Sequence, residues 1–210
     1  TPAALTITTP DDSKIYDGTE LKKDGKIEGF VNNETASFAT TGVQITVGKS
    51  SNTYTLTWDG TAKESDYTIT ENIGTLEVKK ATITATAIAE SHVYTGETFG
   101  ATVEVTDVPT GLTVAEAKSN ASATHVTDGV VTAHADSVII KQNDVDVTGN
   151  FEIIYVDDAL EITPAELTIT TPDDSKIYDG TELKKDGKIE GFVNNETATF
   201  ATTGVQITVG

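Results

Sequence analysis

Asp144, Asp146, Thr148 and Asn150 stand at alternate positions with Gly149 between the last two, the order in which a calcium loop presents its oxygens. The pattern fails at its twelfth position. There Tyr155 replaces the bidentate glutamate, and strand-like segments flank the loop where helices are needed. Calcium is thus the one cofactor the spacing admits, and a polar hairpin turn is the competing reading. Tyr16, Asp17 and Gly18 form a second candidate, repeated as Tyr178, Asp179 and Gly180 and, in weaker form, as Tyr94, Thr95 and Gly96. A structural role suits them best: the ring is expected to be buried while Asp-Gly turns the chain. Asp11-Asp12 and Asp157-Asp158 are carboxylate pairs in loops, with no cleft implied for acid–base work. His92, His125 and His134 lack the spacing of metal ligands, and the absence of cysteine removes thiol catalysis, Cys-zinc sites and disulfides. No nucleophile motif or phosphate loop is present. The chain is read as non-catalytic.

These residues sit on a repeat, and the repeat sets the organisation. Thr1–Gly48 returns as Thr163–Gly210 with two differences, Ala4/Glu166 and Ser37/Thr199. A fainter half-period aligns Leu5–Thr8 and Tyr16–Gly18 with Ile83–Thr86 and Tyr94–Gly96. Three stretches follow: module A over 1–79, a diverged module B over 80–162, and an incomplete second copy of module A over 163–210. Counterparts of Tyr54–Val78 are missing from the third, so the chain is expected to be a fragment of a longer array.

Threonine, valine and isoleucine alternate along short segments, which specifies half-buried strands. Leu5, Ile7, Val43, Ile45, Val47, Tyr54, Leu56, Trp58, Tyr67, Ile69, Leu76 and Val78 are expected to face inward, with Trp58 as a core anchor. Two short helices compete with this pattern. Thr113–Asn120 carries a capping-box pair, Thr113 and Glu116, ahead of Ala117 and Lys118, and Asn33–Ala39 is a weaker equivalent. At the joints, Leu76–Val78 runs into Ile83, and Leu160–Ile162 into Leu167, with no Gly- or Ser-rich tether. The fold expected is mainly β, in tandem elongated modules. Each is β-grasp-like with at most a short helix, or an Ig-like sandwich, and they join end to end as a rod.

The formal net charge of −19 repels nucleic acid, whose binders need a basic face. No apolar run is long enough for a membrane-spanning helix. Asn33, Asn120 and Asn195 begin sequons, read here as chance matches.

The residues Tyr16-Asp17-Gly18, Gly74-Thr75-Leu76 and Tyr178-Asp179-Gly180 resemble the MBG/YDG repeats of large bacterial surface proteins. Module B departs from that pattern at Thr95 and at Asp158-Ala159. The resemblance implies an extracellular repeat at the bacterial cell surface, or secreted, serving as stalk, spacer or fibre segment of an adhesin, and no enzyme. Surface stalks of this general kind also admit an intramolecular Lys–Asn crosslink. Expected partners are neighbouring repeats and identical chains in a fibre. A host glycan or protein is the alternative, weakened by there being one tryptophan, Trp58.

Overall fold

Alternation of β-branched residues leaves little choice but strand, and the computed structural model, which describes residues 1–210, consists of strands, turns and three single-turn 3-10 segments. Module A forms β1 (Ala3–Thr9), β2 (Asp12–Ile15), β3 (Lys26–Glu28), β4 (Ser37–Thr40), β5 (Gly48–Ser51), β6 (Tyr54–Thr57), β7 (Tyr67–Ile73) and β8 (Thr75–Lys79). Module B begins with β9 (Ala81–Ile88), β10 (Ser91–Val93), β11 (Phe99–Gly100), β12 (Thr102–Thr106), β13 (Thr113–Lys118) and β14 (Ser122–Ala123). It continues with β15 (Val131–Ala133), β16 (Ser137–Gln142), β17 (Val145–Asp146), β18 (Phe151–Val156) and β19 (Asp158–Thr163). In the third stretch only β20 (Thr168–Thr170) and β21 (Lys188–Glu190) form. The protein is mainly β, several small sheets in succession, without an α-helix.

The first and last strands of module A run parallel. β1 pairs with β7 from Ala3↔Tyr67 to Thr9↔Ile73, and β2 with β8 from Asp12↔Leu76 to Ile15↔Lys79. The register never slips between the two ladders, so β1–β2 and β7–β8 are two long strands bent together at Pro10-Asp11 and Gly74. The bend is tied by backbone-to-side-chain bonds. Gly74 N–H donates to Thr9 Oγ1 (3.0 Å), and Thr75 N–H to Asp11 Oδ1 (2.6 Å). Asn52, fully buried, donates to the carbonyls of Pro10 and Lys23 at 3.0 Å each. β3 and β5 flank the two ladders antiparallel, and β4 pairs with β6. This parallel closure sets the module apart from an Ig-like sandwich, whose sheets are antiparallel.

Contacts gather the chain into two compact units. One contains Thr1–Thr86, Glu104–Lys118 and Ala135–Val156; the other contains Ala87–Val103, Ser119–His134 and Asp157–Gly210. In the first, β18 lies parallel to β9 from Phe151↔Ala81, and β16 joins β13 and β17. In the second, β19 pairs parallel with β10 and antiparallel with β15. The cores are small: Leu5, Ile7, Leu76, Val78, Ile83 and Ile140 are buried in the first unit together with the rings of Tyr16, Tyr67 and Phe151, and Leu160 and Ile162 in the second.

Three expectations are corrected. Thr113–Asn120 is not a helix. Its Thr113–Lys118 is strand β13, paired to β16 with a bulge at Ala115, and Glu116 accepts from Ser137 Oγ instead of closing a capping box. A short helix gains only tenths of a kcal/mol per residue from propensity, and a sheet partner outweighs it. Asn33–Ala39 is likewise turn then strand, with Asn32 and Asn33 at positive φ before β4. Val43–Val47 is irregular, holding only a bridge from Gln44 to Leu21: Val47 N–H is taken by Asn150 Oδ1, and the Gln44 side chain folds back on Thr46 O, so neither Val47 N–H nor Thr46 O is left for a ladder. Ile45 is consequently exposed, and so is Ile69, where the face of β7 runs out from the core.

Candidate functional site

Lys14, Asp17 and Thr19 build a self-contained loop. Lys14 Nζ donates to Asp17 Oδ1 and Thr19 Oγ1 at 2.6 Å each, while Thr19 donates to the same carboxylate oxygen from its N–H (2.9 Å) and its hydroxyl (2.7 Å). The Lys14 bond, helped by those from Thr19, holds the Asp17 carboxyl down at about 2. Lys176, Asp179 and Thr181 repeat every one of these bonds, and Asp179 is lowered in the same way. The loop is therefore encoded locally and forms whatever surrounds it.

What the loop presents differs between copies. Tyr16 is 2% exposed; its ring meets Phe151, the first residue of β18, edge-on at 5.4 Å and 87°. Its N–H donates to Lys79 O at 2.8 Å, and burial, then Asp17, pushes its phenol pKa up. Gly18 has φ +79°, a conformation costly to other residues, and its carbonyl accepts from Gln142 Nε2 at 2.9 Å. Val47 N–H donates to Asn150 Oδ1 at 2.8 Å. Thus three residues of module A engage Gln142, Asn150 and Phe151 of module B, one residue, Lys80, separating β8 from β9. In the second unit the motif recurs in the same use. Tyr94 N–H donates to Thr163 O at 2.8 Å, its hydroxyl donates to Glu196, and Gly96 lies against Asn194. Tyr178, by contrast, is 63% exposed. The Tyr-x-Gly motif is a joint.

Asp144, Asp146, Thr148 and Asn150 do not present a ligand set. Asp144 sits in a positive-φ turn, and Asp146 Oδ1 accepts from Thr148 N–H (2.9 Å). Thr148 Oγ1 accepts from Ile140 N–H (2.8 Å), and Asn150 Oδ1 is taken by Val47. The polar hairpin reading describes them, and Asn150 serves the joint. The histidines are scattered: His92 stacks on Phe99 at 3.9 Å, His125 lies near Tyr94, and His134 contacts Asp157. No three His, Asp or Glu side chains gather where a metal could be held.

Trp58 is half-buried at the margin of the Leu5–Ala62–Tyr67 cluster, stacked on Tyr67 at 5.9 Å and edge-on to Phe30. Its remaining surface borders an open groove of about 450 Å³ between β6 and β7, lined also by Tyr54, Leu56, Glu64, Ile69 and Glu71. Tyr54 donates to the Glu71 carboxylate, which together with burial lifts its phenol pKa to about 12. Ultraviolet titration should show one tyrosine ionising near 12, and Glu71→Gln should return it toward 10. A folded value above the unfolded one means that this contribution to stability is complete below pH 10 and is lost as pH rises through 12. No change on Glu71→Gln would show that the hydrogen bond is absent in solution.

Sequence reasoning missed Gln142 and Phe151 as joint residues, and no local signal marks either. Residues 5–77 match the family model described as MBG domain (YGX type), and this stretch is an MBG domain, a repeat domain found in bacterial surface proteins. Among curated proteins and solved structures nothing matches the chain. MBG repeat domains are generally non-catalytic.

Proposed function

We propose that this chain is a spacer segment in the stalk or fibre of a bacterial extracellular adhesin, made of non-catalytic modules over 1–79, 80–162 and 163–210. The observation that carries the reading is the parallel pairing of the first and last strands of module A. Parallel partners start at the same end, so the chain enters module A at one end and leaves it at the other. The bent strand from Ala3 to Ile15 spans about 40 Å at ~3.3 Å per residue. Lys80 alone bridges to β9, while Tyr16, Gly18 and Val47 grip the following module. Such a unit adds length at each repeat and resists bending at its joints. Acidic surfaces keep a long array from self-associating.

Small-angle scattering tests this. A rod of about 100 Å has a radius of gyration near 30 Å, against about 17 Å for a compact chain of this length. A value near the lower figure sinks the spacer reading.

The second reading, a module that binds host glycan or protein, draws on the Trp58 groove, where Trp58 and Tyr54 are accessible beside Glu64 and Glu71. Trp58 is the sole tryptophan, so its emission reports directly on ligand in a glycan titration. A saturable shift that weakens on Tyr54→Ala, which keeps the reporter, favours binding; a flat titration favours the spacer.

A further inference from the structure

Among aspartyl dipeptides, Asp-Gly is the one most prone to rearrange its own backbone, and this chain carries six, at Asp17, Asp24, Asp59, Asp128, Asp179 and Asp186. The glycine nitrogen attacks the aspartate Cγ, unhindered because glycine has no Cβ, and closes a five-membered succinimide. Water leaves, made of the carboxyl hydroxyl and the amide proton, so the carboxyl must be un-ionised and both groups free to approach. Water then reopens the ring at either carbonyl. One route restores aspartate; the other gives isoaspartate, which threads the side-chain carbon into the main chain and spoils the turn.

Hydrogen bonds occupy one of the two reacting groups at five of these pairs. Asp17 Oδ1 accepts from Lys14 Nζ and Thr19, and Asp179 Oδ1 accepts from Lys176 Nζ and Thr181. Asp59 accepts from Ser37 N–H on one oxygen (3.0 Å) and from Ser37 Oγ on the other (2.7 Å). Asp128 Oδ2 accepts from Thr124 N–H and His125 N–H at 2.8 Å each. At Asp24 the nucleophile is held instead, since Gly25 N–H donates to Thr40 Oγ1 at 2.7 Å. Asp186-Gly187 has the same neighbours in sequence but lacks that bond: Thr202, the counterpart of Thr40, donates to Lys185 O (2.9 Å).

We propose that these hydrogen bonds are chemical locks as well as turn fasteners, holding the Asp-Gly turns of the repeat against succinimide closure and so against isoaspartate formation. The carboxylate locks act twice. They fix the side chain away from the glycine nitrogen, and bonds from Lys14 to Asp17, from Ser37 to Asp59, from His125 N–H to Asp128 and from Lys176 to Asp179 lower each carboxyl's pKa, which thins the un-ionised, reactive form. The amide lock at Gly25 does the complementary job on the attacking atom. A chain without cysteine or methionine is already short of oxidisable side chains, and the locks extend that durability to its most labile backbone bonds. This goes beyond the spacer reading and holds whether or not the array is a rod.

The test ages the 210-residue chain in heavy-oxygen water at mildly acidic and neutral pH. Every passage through the ring leaves one heavy oxygen on the aspartate, and peptide fragmentation by mass spectrometry locates it. Asp186 serves as the internal reference. Asp179 lies seven residues before it, so general order is nearly matched and the bond is what differs. Asp179, Asp17, Asp24 and Asp59 should label about tenfold or more slowly than Asp186, the scale of one charge-assisted or buried hydrogen bond. Thr40→Val removes the acceptor of Gly25 N–H at nearly constant shape and should bring Asp24 toward the Asp186 rate while Asp59 stays slow. Thr19→Val, which removes one bond to Asp17, should raise Asp17 several-fold and leave Asp24 unchanged. Equal labelling of Asp179 and Asp186 overturns the proposal. So does a Thr40→Val chain in which Asp24 is no faster, or in which Asp24 and Asp59 rise together, since unfolding of the module and not the bond would then be the gate.

Discussion

Gly74→Val should destabilise module A by about 3 kcal/mol or more, the upper range for forcing volume into a packed site. A Cβ at Gly74 would lie 2.3 Å from Pro10 C, 2.4 Å from Pro10 O and 2.5 Å from Thr9 O. These are backbone atoms, so no rotamer change relieves the clash. Separation at this point also pulls on the bonds from Gly74 and Thr75 to Thr9 and Asp11, and on that from Asn52 N–H to Gly74 O. The bend is where both ladders of the module meet, and damage there loosens both. For a domain of this size the loss amounts to a fall in Tm of roughly 12–24 °C. Trp58 fluorescence reports it, since the only tryptophan lies in module A. Gly149→Ala is the control: nothing lies within 4 Å of the added carbon, and its Tm should stay near that of the parent. If Gly74→Val also leaves Tm near the parent, the parallel closure is not what holds module A together.

That closure was not legible in the sequence, although the strands were. Period-two alternation marks β1, β6, β7 and β9, and places Leu5, Ile7, Leu76 and Val78 inside, because the side chains of a strand alternate between faces. Turn chemistry identifies bends, but it says nothing of which distant strands pair, and Ala3 meets Tyr67 only through the whole module. Thr113–Lys118 misled for a related reason: alanine, glutamate and lysine favour helix locally, and the partner that overrules them, Val138–Ile140, lies elsewhere in the chain. The joint divides in the same way. The Lys14–Asp17–Thr19 loop was legible as a turn, since its bonds span five residues at most and recur unchanged at Lys176–Thr181. Its partners were not, for Gln142 is 124 residues from Gly18 and Asn150 is 103 from Val47. A family match over 5–77 names the unit, but the packing of one unit on the next lies outside any single domain.

Tyr16→Ala and Tyr178→Ala turn that difference into a measurement. The six residues Lys14–Thr19 and Lys176–Thr181 are identical and keep the same internal bonds, so intrinsic propensity and unfolded-state effects cancel between the two variants. What differs is the surroundings: one ring rests against Phe151 at 2% exposure, the other stands 63% exposed. Tyr16→Ala should cost about 3–5 kcal/mol, the range for deleting a large buried aromatic, and Tyr178→Ala within about 0.5 kcal/mol. The loss at Tyr16 should also be shared. Because Phe151 is the ring on the far side of the joint, Phe151→Ala made on top of Tyr16→Ala should cost less than it does in the parent, with a coupling of about 0.5–1.5 kcal/mol for the edge-on pair. Chemical denaturation of the four members of that cycle gives the coupling directly. Additive losses would mean that the two rings stabilise their own modules separately, and the joint would then have to be held by Gln142 and Asn150 alone. Equal costs for Tyr16→Ala and Tyr178→Ala would remove the joint altogether, since a residue that matters equally with and without a module packed against it is not gripping that module.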